Sequence, residues 1–360
     1  MAELDSRLRG NDGGLVSSEQ LLADTVARIQ QAIADKQTLT IRGGGSKAFY
    51  GNASGGEVLS TQGLAGIVAY DPRELTLTAR AGMTLQEIEM TLAANRQMLP
   101  FEPPHFGDGA TLGGCVATGL SGPRRPYAGA VRDAVLGVEL IDGRGQRLHF
   151  GGRVIKNVAG YDVSRLVVGS LGSLGVLTEV TVKLLPQPSC ERTLSLEINE
   201  IEAIEIMNQW ATRPLPLSAT AWLAGRLLVR LSGAESAVNA AVEKLGGEEI
   251  ADGAVFWAAL KEQTLPEFAM SPLWRLSVPS TTPPIAGTRC VEWGGAVRWV
   301  VDESNGPREH ASAVGGHATL FRGIGYPAFA PLSAPMAALH QRIRQIFDPH
   351  GVFNAGRLYV

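Results

Sequence analysis

Glycine is clustered along this chain. "RGGGS" (Arg42–Ser46), "LGG" (Leu112–Gly114), "GLSG" (Gly119–Gly122) and "GSLGSLG" (Gly169–Gly175) all fall in the first half, and 43 of the 360 residues are glycine. Such loops expose backbone N–H groups and admit close approach, so segments far apart in sequence are expected to converge on one ligand. Two common arrangements are excluded. A Walker loop needs Ser or Thr after its lysine, whereas Ser46 precedes Lys47 and Ala48 follows it. A Rossmann turn needs G-x-G-x-x-G between a strand and a helix; "GSLGSLG" has a different spacing and runs into a strand-like stretch, and no helical pattern follows "RGGGSKAFYG".

The remaining pattern is α+β. Leu22, Val26, Ile29 and Ile33 mark one face of a helix, with Ser17 or Ser18 as its cap. Alternation at Leu75, Leu77 and Ala79 predicts a strand. Thr84 and Glu87 predict a capping box opening a helix that buries Leu85, Ile88 and Leu92, with Met83 stapled on Ile88. Val135–Ile141 and Val176–Leu185 read as strands. Pro186 and Pro188 close this region and mark a boundary. Beyond it, "RLLVRLSG", a helix with Ala234, Val238, Ala241 and Leu245 on one face, and "WRLSVP" predict a helix-covered antiparallel sheet. A last helix runs to Phe347 and a turn at Asp348-Pro349. We therefore expect a disordered extension over residues 1–16, a first domain over 17–188, a smaller α+β cap or substrate domain over 189–330, and a segment, 331–360, that returns to the first domain.

Composition narrows the function. Net charge is −3, which gives no nucleic-acid surface and no attraction to an anionic membrane. No run approaches the length of a transmembrane helix, and no signal-peptide core is evident. Cys115, Cys190 and Cys290 are too dispersed for a disulfide framework, a zinc site or an iron–sulfur cluster. A reduced, cytoplasmic setting fits. Several glycine loops far apart suit a long ligand with two phosphates, an adenine and a flat ring, which describes FAD better than a mononucleotide.

Taken together, "RGGGS", "AGMTLQEI", "PPHFGDGATLGGCVATGLSG", "VRDAVLGVELIDGRG", "AGYDVSRLVVGSLGSLGVLTEVTVKLLP" and "FDPHGVFNAGRLY" resemble the FAD-binding family of the vanillyl-alcohol oxidase / p-cresol methylhydroxylase type. Within it the chain is similar to the FAD-binding subunits of bacterial glycolate oxidase (glycolate dehydrogenase). The resemblance implies a two-subdomain FAD-binding domain. It assigns Arg42, Gly43, Gly44, Gly45, Ser46 and Lys47 to a first pyrophosphate loop, and Thr111, Gly113 and Gly114 to a second, helped by helix-start N–H groups. Gly119, Ser121 and Gly122 would lie beside the flavin ring, Pro103, Pro104 and His105 near the isoalloxazine, and Gly175 and Val176 against the adenosine. It also implies a second flavin subunit and an iron–sulfur subunit as partners, a small 2-hydroxy acid as substrate, and peripheral inner-membrane contact only through those partners.

Departures sharpen the expectation. Ser46 stands where some relatives tether FAD through histidine, so the FAD should be non-covalent. No H-x-G-D-G-x-x-H motif occurs, and Leu171 stands where related chains have an acid. Oxidising a 2-hydroxy acid requires a hydride acceptor, a base and a cation for the carboxylate. His317 and Arg322 are the catalytic candidates, with His105 as another base and Arg124 and Arg125 as other carboxylate clamps. Three functions follow from this reading. The chain turns over glycolate within a complex, serves only assembly or electron relay, or is a stand-alone oxidase of another 2-hydroxy acid or alcohol.

Overall fold

In the computed structural model, residues 17–152 and 162–359 are described; the extension expected over residues 1–16 lies outside them. The first helix, Ser18–Asp35, is capped by Ser17, whose side chain accepts the Gln20 N–H. It buries Leu22, Thr25, Ile29 and Ala32, so the buried stripe is turned slightly from the expected one and Val26 and Ile33 sit at its margin. That stripe packs on a two-stranded parallel sheet, Leu39–Arg42 with Glu57–Ser60.

A five-stranded antiparallel sheet follows, in the order Ile67–Asp71, Thr76–Arg80, Val176–Lys183, Val135–Ile141, Arg147–Gly151. The strand expected from Leu75 begins one residue later, because Leu75 itself turns the chain at φ 52°. Its alternation does not leave one face wet: Leu77 and Ala79 are buried on one side and Thr76 and Thr78 on the other. The Thr78 and Thr181 hydroxyls pair at 2.9 Å, so the second face is polar but covered. The helix Leu85–Ala93 starts with the expected box: Thr84 accepts the Glu87 N–H and Glu87 accepts the Thr84 N–H.

After Pro186 the chain enters an eight-stranded antiparallel sheet, in the order Glu248–Glu249, Cys190–Glu197, Arg226–Gly233, Leu217–Leu223, Thr288–Glu292, Val297–Val301, Leu273–Ser277, His317–Arg322. The unit that is shorter in sequence thus holds the wider sheet. The helices Glu200–Ala211 and Glu235–Leu245 cover part of it through Ile204, Met207, Trp210, Val238 and Ala241. The remaining inner surface, with Phe321, Trp299, Phe268 and Leu273, meets Leu120, Tyr50 and Phe106 of the first unit.

The final helix, Ala334–Phe347, ends at Asp348, whose carboxylate accepts the N–H groups of Val352 and Phe353 at 2.9 and 3.0 Å. This turn lays Phe353 beside Leu39, and Phe353 is fully buried there. The last residues thereby complete the layer that carries the first glycine loop.

Candidate functional site

The strand Leu39–Arg42 delivers Gly43–Lys47 to a groove of about 100 Å³. The turn is closed by the Ala48 N–H on the Gly45 carbonyl and the Tyr50 N–H on the Lys47 carbonyl. Among the described residues, the N–H groups of Gly43 to Lys47 have no acceptor. Arg42, Lys47 and Arg357 line the groove and no carboxylate does. Unsatisfied N–H groups beside cations form an anion cradle, and this donor set fits the pyrophosphate of FAD.

Two glycines are needed for close approach. A Cβ on Gly44 would sit 1.4 Å from the Gly109 carbonyl oxygen, and one on Gly43 would sit 2.3 Å from the Thr111 hydroxyl. The first and second loops are therefore locked backbone to backbone.

The second loop differs from expectation. Its helix, Leu112–Thr118, has its first N–H groups already engaged: Leu112 donates to Met83 O, Gly113 to Ala81 O and Gly114 to the Thr111 hydroxyl. They cannot also hold a phosphate, because the helix start is docked on the chain reversal at Ala81–Met83. Thr111 and Gly114 still line the groove, while Gly113 lies against Ala81.

Other sequence candidates divide. Gly175 lines a cavity of about 60 Å³ that adjoins the groove at Ile41, Gly43, Gly114, Leu171 and Asn354. The Val176 side chain belongs to the core beneath it. Gly119 caps the helix at φ 65°, and the Ser121 hydroxyl accepts the Val131 N–H. Gly122 is fixed by close packing, since a Cβ there would meet the Glu102 carbonyl oxygen at 2.3 Å. Pro103 and Pro104 are buried. His105 is positioned from both units: its N–H and that of Phe106 donate to Glu262, on the helix Gly253–Glu262, and its Nε2 lies 3.2 Å from Glu89.

Lys47 is 93% buried by exposure of 7%, and its ammonium meets the His105 carbonyl at 3.1 Å and the Ser46 hydroxyl at 3.4 Å. Burial lowers its pKa, while Cys115 and Glu262 oppose the shift. Cys115 itself is fully buried, which pushes its thiol to about 12 and leaves it a packing residue.

Sequence reasoning assigned no residue in the C-terminal motif, yet Asn354 and Arg357 both line the groove. The Arg357 guanidinium donates to the carbonyls of Ala48 and Tyr50 at 2.9 and 2.8 Å, clamping the turn after the cradle. The available signal was Asn354 itself. Its φ of 40° is in the region that Asn tolerates better than most residues.

The structure sets the two catalytic candidates, His317 and Arg322, apart. They occupy opposite ends of one strand, His317 opposite Ser277 and Arg322 opposite Leu273. Five residues of strand span roughly 16 Å, too far for one two-carbon acid. Arg322 lines a cleft of about 750 Å³ with Ser46, Phe49, His105, Phe106 and Glu262. Its guanidinium rests against the Phe49, Phe106 and Phe321 rings and donates to the Phe268 carbonyl at 3.4 Å. Arg124 is not a free clamp either: it pairs with Glu102 at 3.0 Å and Glu191 at 2.8 Å, and Arg230 joins them through Glu102 at 2.8 Å.

The chain is similar to several known proteins. The model of a family described as FAD binding domain matches residues 17–151. Glycolate oxidase subunit GlcE of Escherichia coli (strain K12) is 50% identical over 337 residues, 92% of this chain and 95% of that protein. Glycolate oxidase subunit GlcD of Bacillus subtilis (strain 168) is 33% identical over 50% of this chain and 39% of that protein. A D-lactate dehydrogenase of Archaeoglobus fulgidus is 32% identical over 54% and 44%. Alkyldihydroxyacetonephosphate synthase shares the fold, with a TM-score of 0.64 at 14% identity over 93% of this chain and 76% of that one.

Proposed function

The chain belongs to the FAD-binding glycolate oxidase subunit family represented by GlcE, and we propose that it oxidises glycolate to glyoxylate within a complex and passes the electrons to a partner subunit. It is an FAD-dependent oxidoreductase. The observation that carries the proposal is the cradle: acceptor-free N–H groups at Gly43–Lys47, flanked by Arg42, Lys47 and Arg357.

Bound FAD supplies the two-electron acceptor for a hydride from the substrate carbon. The chain's own groups have separate tasks. The cradle holds the pyrophosphate, and Arg357 and Asn354 hold the cradle. Phe49, Phe106 and Phe321 pack edge to face at the seam between the units. In this reading the partners are a second flavin subunit and an iron–sulfur subunit. Among the described residues no cluster of His, Cys, Asp or Glu could hold a metal. No helix among them is long and apolar enough to cross a membrane.

A second reading, a flavin-fold subunit for assembly or relay without turnover, is favoured by the separation of His317 from Arg322. Anaerobic mixing of the purified, FAD-loaded chain with glycolate separates the two. Bleaching of the visible flavin band supports turnover here. A band that stays unbleached until partner subunits are added assigns this chain to relay or assembly.

A further inference from the structure

The inner face of the eight-stranded sheet carries a second concentration of positive charge, away from the cradle. Arg275, in the strand Leu273–Ser277, places its guanidinium 4.7 Å from the Trp293 ring and 5.9 Å from the Trp299 ring. Arg125 belongs to the first unit and follows the Gly119–Gly122 segment by three residues; its guanidinium lies 4.4 Å from the same Trp293 ring. Two cations from two units thus share one indole.

Neither guanidinium has a hydrogen bond or an ion pair among the described residues, whereas the neighbouring Arg124 and Arg230 are matched by Glu102 and Glu191. The nearby acids compensate only in part. Asp133, beside Arg125, uses its carboxylate to accept the Ala130 N–H at 2.8 Å. Glu292, beside Arg275, is buried, accepts the Trp299 Nε1–H at 2.5 Å, and is pushed up to about 7 by burial. Burial lowers the pKa of Arg275 against the opposing Tyr50 and Glu292; Arg125 lies at the exposed rim, where burial also lowers its pKa and Asp133 opposes the shift. Contact with the indole face offsets part of the burial cost of Arg275.

The indole is held in a costly conformation. Trp293 has φ 56°, followed by Gly294 at 64° and Gly295 at 101°. A bulky residue in the left-handed region is strained, and such strain gathers at functional sites. Gly295 cannot be replaced cheaply, since a Cβ there would lie 2.3 Å from the Ser280 carbonyl oxygen. Tyr50, from the chain just after the cradle, and His317 both feel the charge on Arg275.

We propose that Arg275 and Arg125, arranged around Trp293, bind a small monocarboxylate anion, and that the 2-hydroxy acid is held here instead of at Arg322. The proposal rests on the oxidoreductase reading for the substrate class, while the anion site itself does not. Arg322 is the weaker anion site because Asp108 and Glu262 line its cleft and oppose an anion. Guanidinium is suited to carboxylate because its paired N–H groups match the two oxygens.

The test is a fluorescence titration of the FAD-loaded chain with glycolate, with ethylene glycol as the uncharged control. Saturable quenching by glycolate but not by ethylene glycol is expected. R275Q should raise the apparent Kd roughly tenfold or more, as for loss of a charge-assisted contact. W293F should remove most of the quenching signal, because Trp293 is the indole in contact with both guanidinium groups. If R275Q does not fold, R125Q, at an exposed position, reads the same site and should weaken binding by about threefold. Unchanged binding in the folded arginine variants, or loss in R322Q alone, overturns the proposal. Failure of the function reading is distinguishable. If glycolate never bleaches the flavin yet R275Q still weakens binding, the redox assignment falls and the site stands. If bleaching occurs with R275Q unchanged in KM and Kd, the site falls and the redox assignment stands.

Discussion

Asn354 accepts the backbone N–H of Ile41 through its Oδ1 at 2.8 Å. Its Nδ2 donates to the Leu171 carbonyl at 2.5 Å. One side chain near the C-terminus therefore fixes the strand that delivers the first glycine loop and the turn that begins the last. Asn354 is 4% exposed, so both bonds are made away from water.

Replacing Asn354 with alanine leaves a buried N–H and a buried carbonyl unpaired, at roughly 1–3 kcal/mol each. N354A should lower the melting temperature and weaken FAD binding together, measured by thermal denaturation and flavin fluorescence. Normal FAD affinity in a destabilised N354A protein would contradict the role given to this residue.

Gly44 has no room for a side chain against the Gly109 carbonyl oxygen, 1.4 Å from an added Cβ. G44A must part the two loops of the cradle. Purified G44A is expected to carry no stoichiometric flavin, read from the ratio of visible to ultraviolet absorbance. Retention of a full complement would show that the loops need not touch.

Ser46 offers no nucleophile of the kind that tethers a flavin, so the cofactor should leave intact when the chain is denatured with acid. Chromatography of the supernatant should recover all of it as FAD. Flavin remaining in the washed precipitate would disprove non-covalent binding.

Arg124, 9% exposed at its side chain, joins Glu102 and Glu191 across the two units. Burial alone would raise the Glu102 pKa, but Arg230 and Arg124 outweigh it and hold the carboxyl below its ordinary 4.5. The network's stabilisation is complete above pH 4.5 and is lost as pH falls through the lower folded value. R124M should cost roughly 1–3 kcal/mol near neutrality, because Glu102 keeps Arg230 but loses one of its two cations and Glu191 loses its shortest ion pair. Urea unfolding should show the difference from wild type shrinking in acid. A constant difference would remove the electrostatic explanation.

Glu292 has the opposite sign. Its folded pKa is about 7 against an ordinary 4.5, so the folded chain keeps a proton that the unfolded chain releases between those values. Stability should therefore fall as pH rises across that window. E292Q keeps an acceptor for the Trp299 N–H and has no charge to bury. It should be more stable than wild type well above pH 7, by up to about 3 kcal/mol, and nearly equal to it in acid. Parallel pH profiles of melting temperature for the two proteins would refute this.

The amino-acid sequence alone determined what depends on local chemistry. The capping box at Thr84 and Glu87, the strand Val135–Ile141 and the helix ending at Phe347 are fixed by neighbours within a few residues. The excluded Walker and Rossmann turns also follow from residue order around Gly43–Lys47. Tertiary structure decided which candidates share a space. It engaged the Leu112–Gly114 N–H groups in packing, although their sequence suits a phosphate. It placed His317 and Arg322 at opposite ends of a strand, and brought Arg125 and Arg275 to one indole across 150 residues of sequence. The physical reason is that hydrogen-bond saturation and charge pairing depend on partners distant in sequence. A local pattern shows what a group can donate, and only the fold shows whether that donor is already in use.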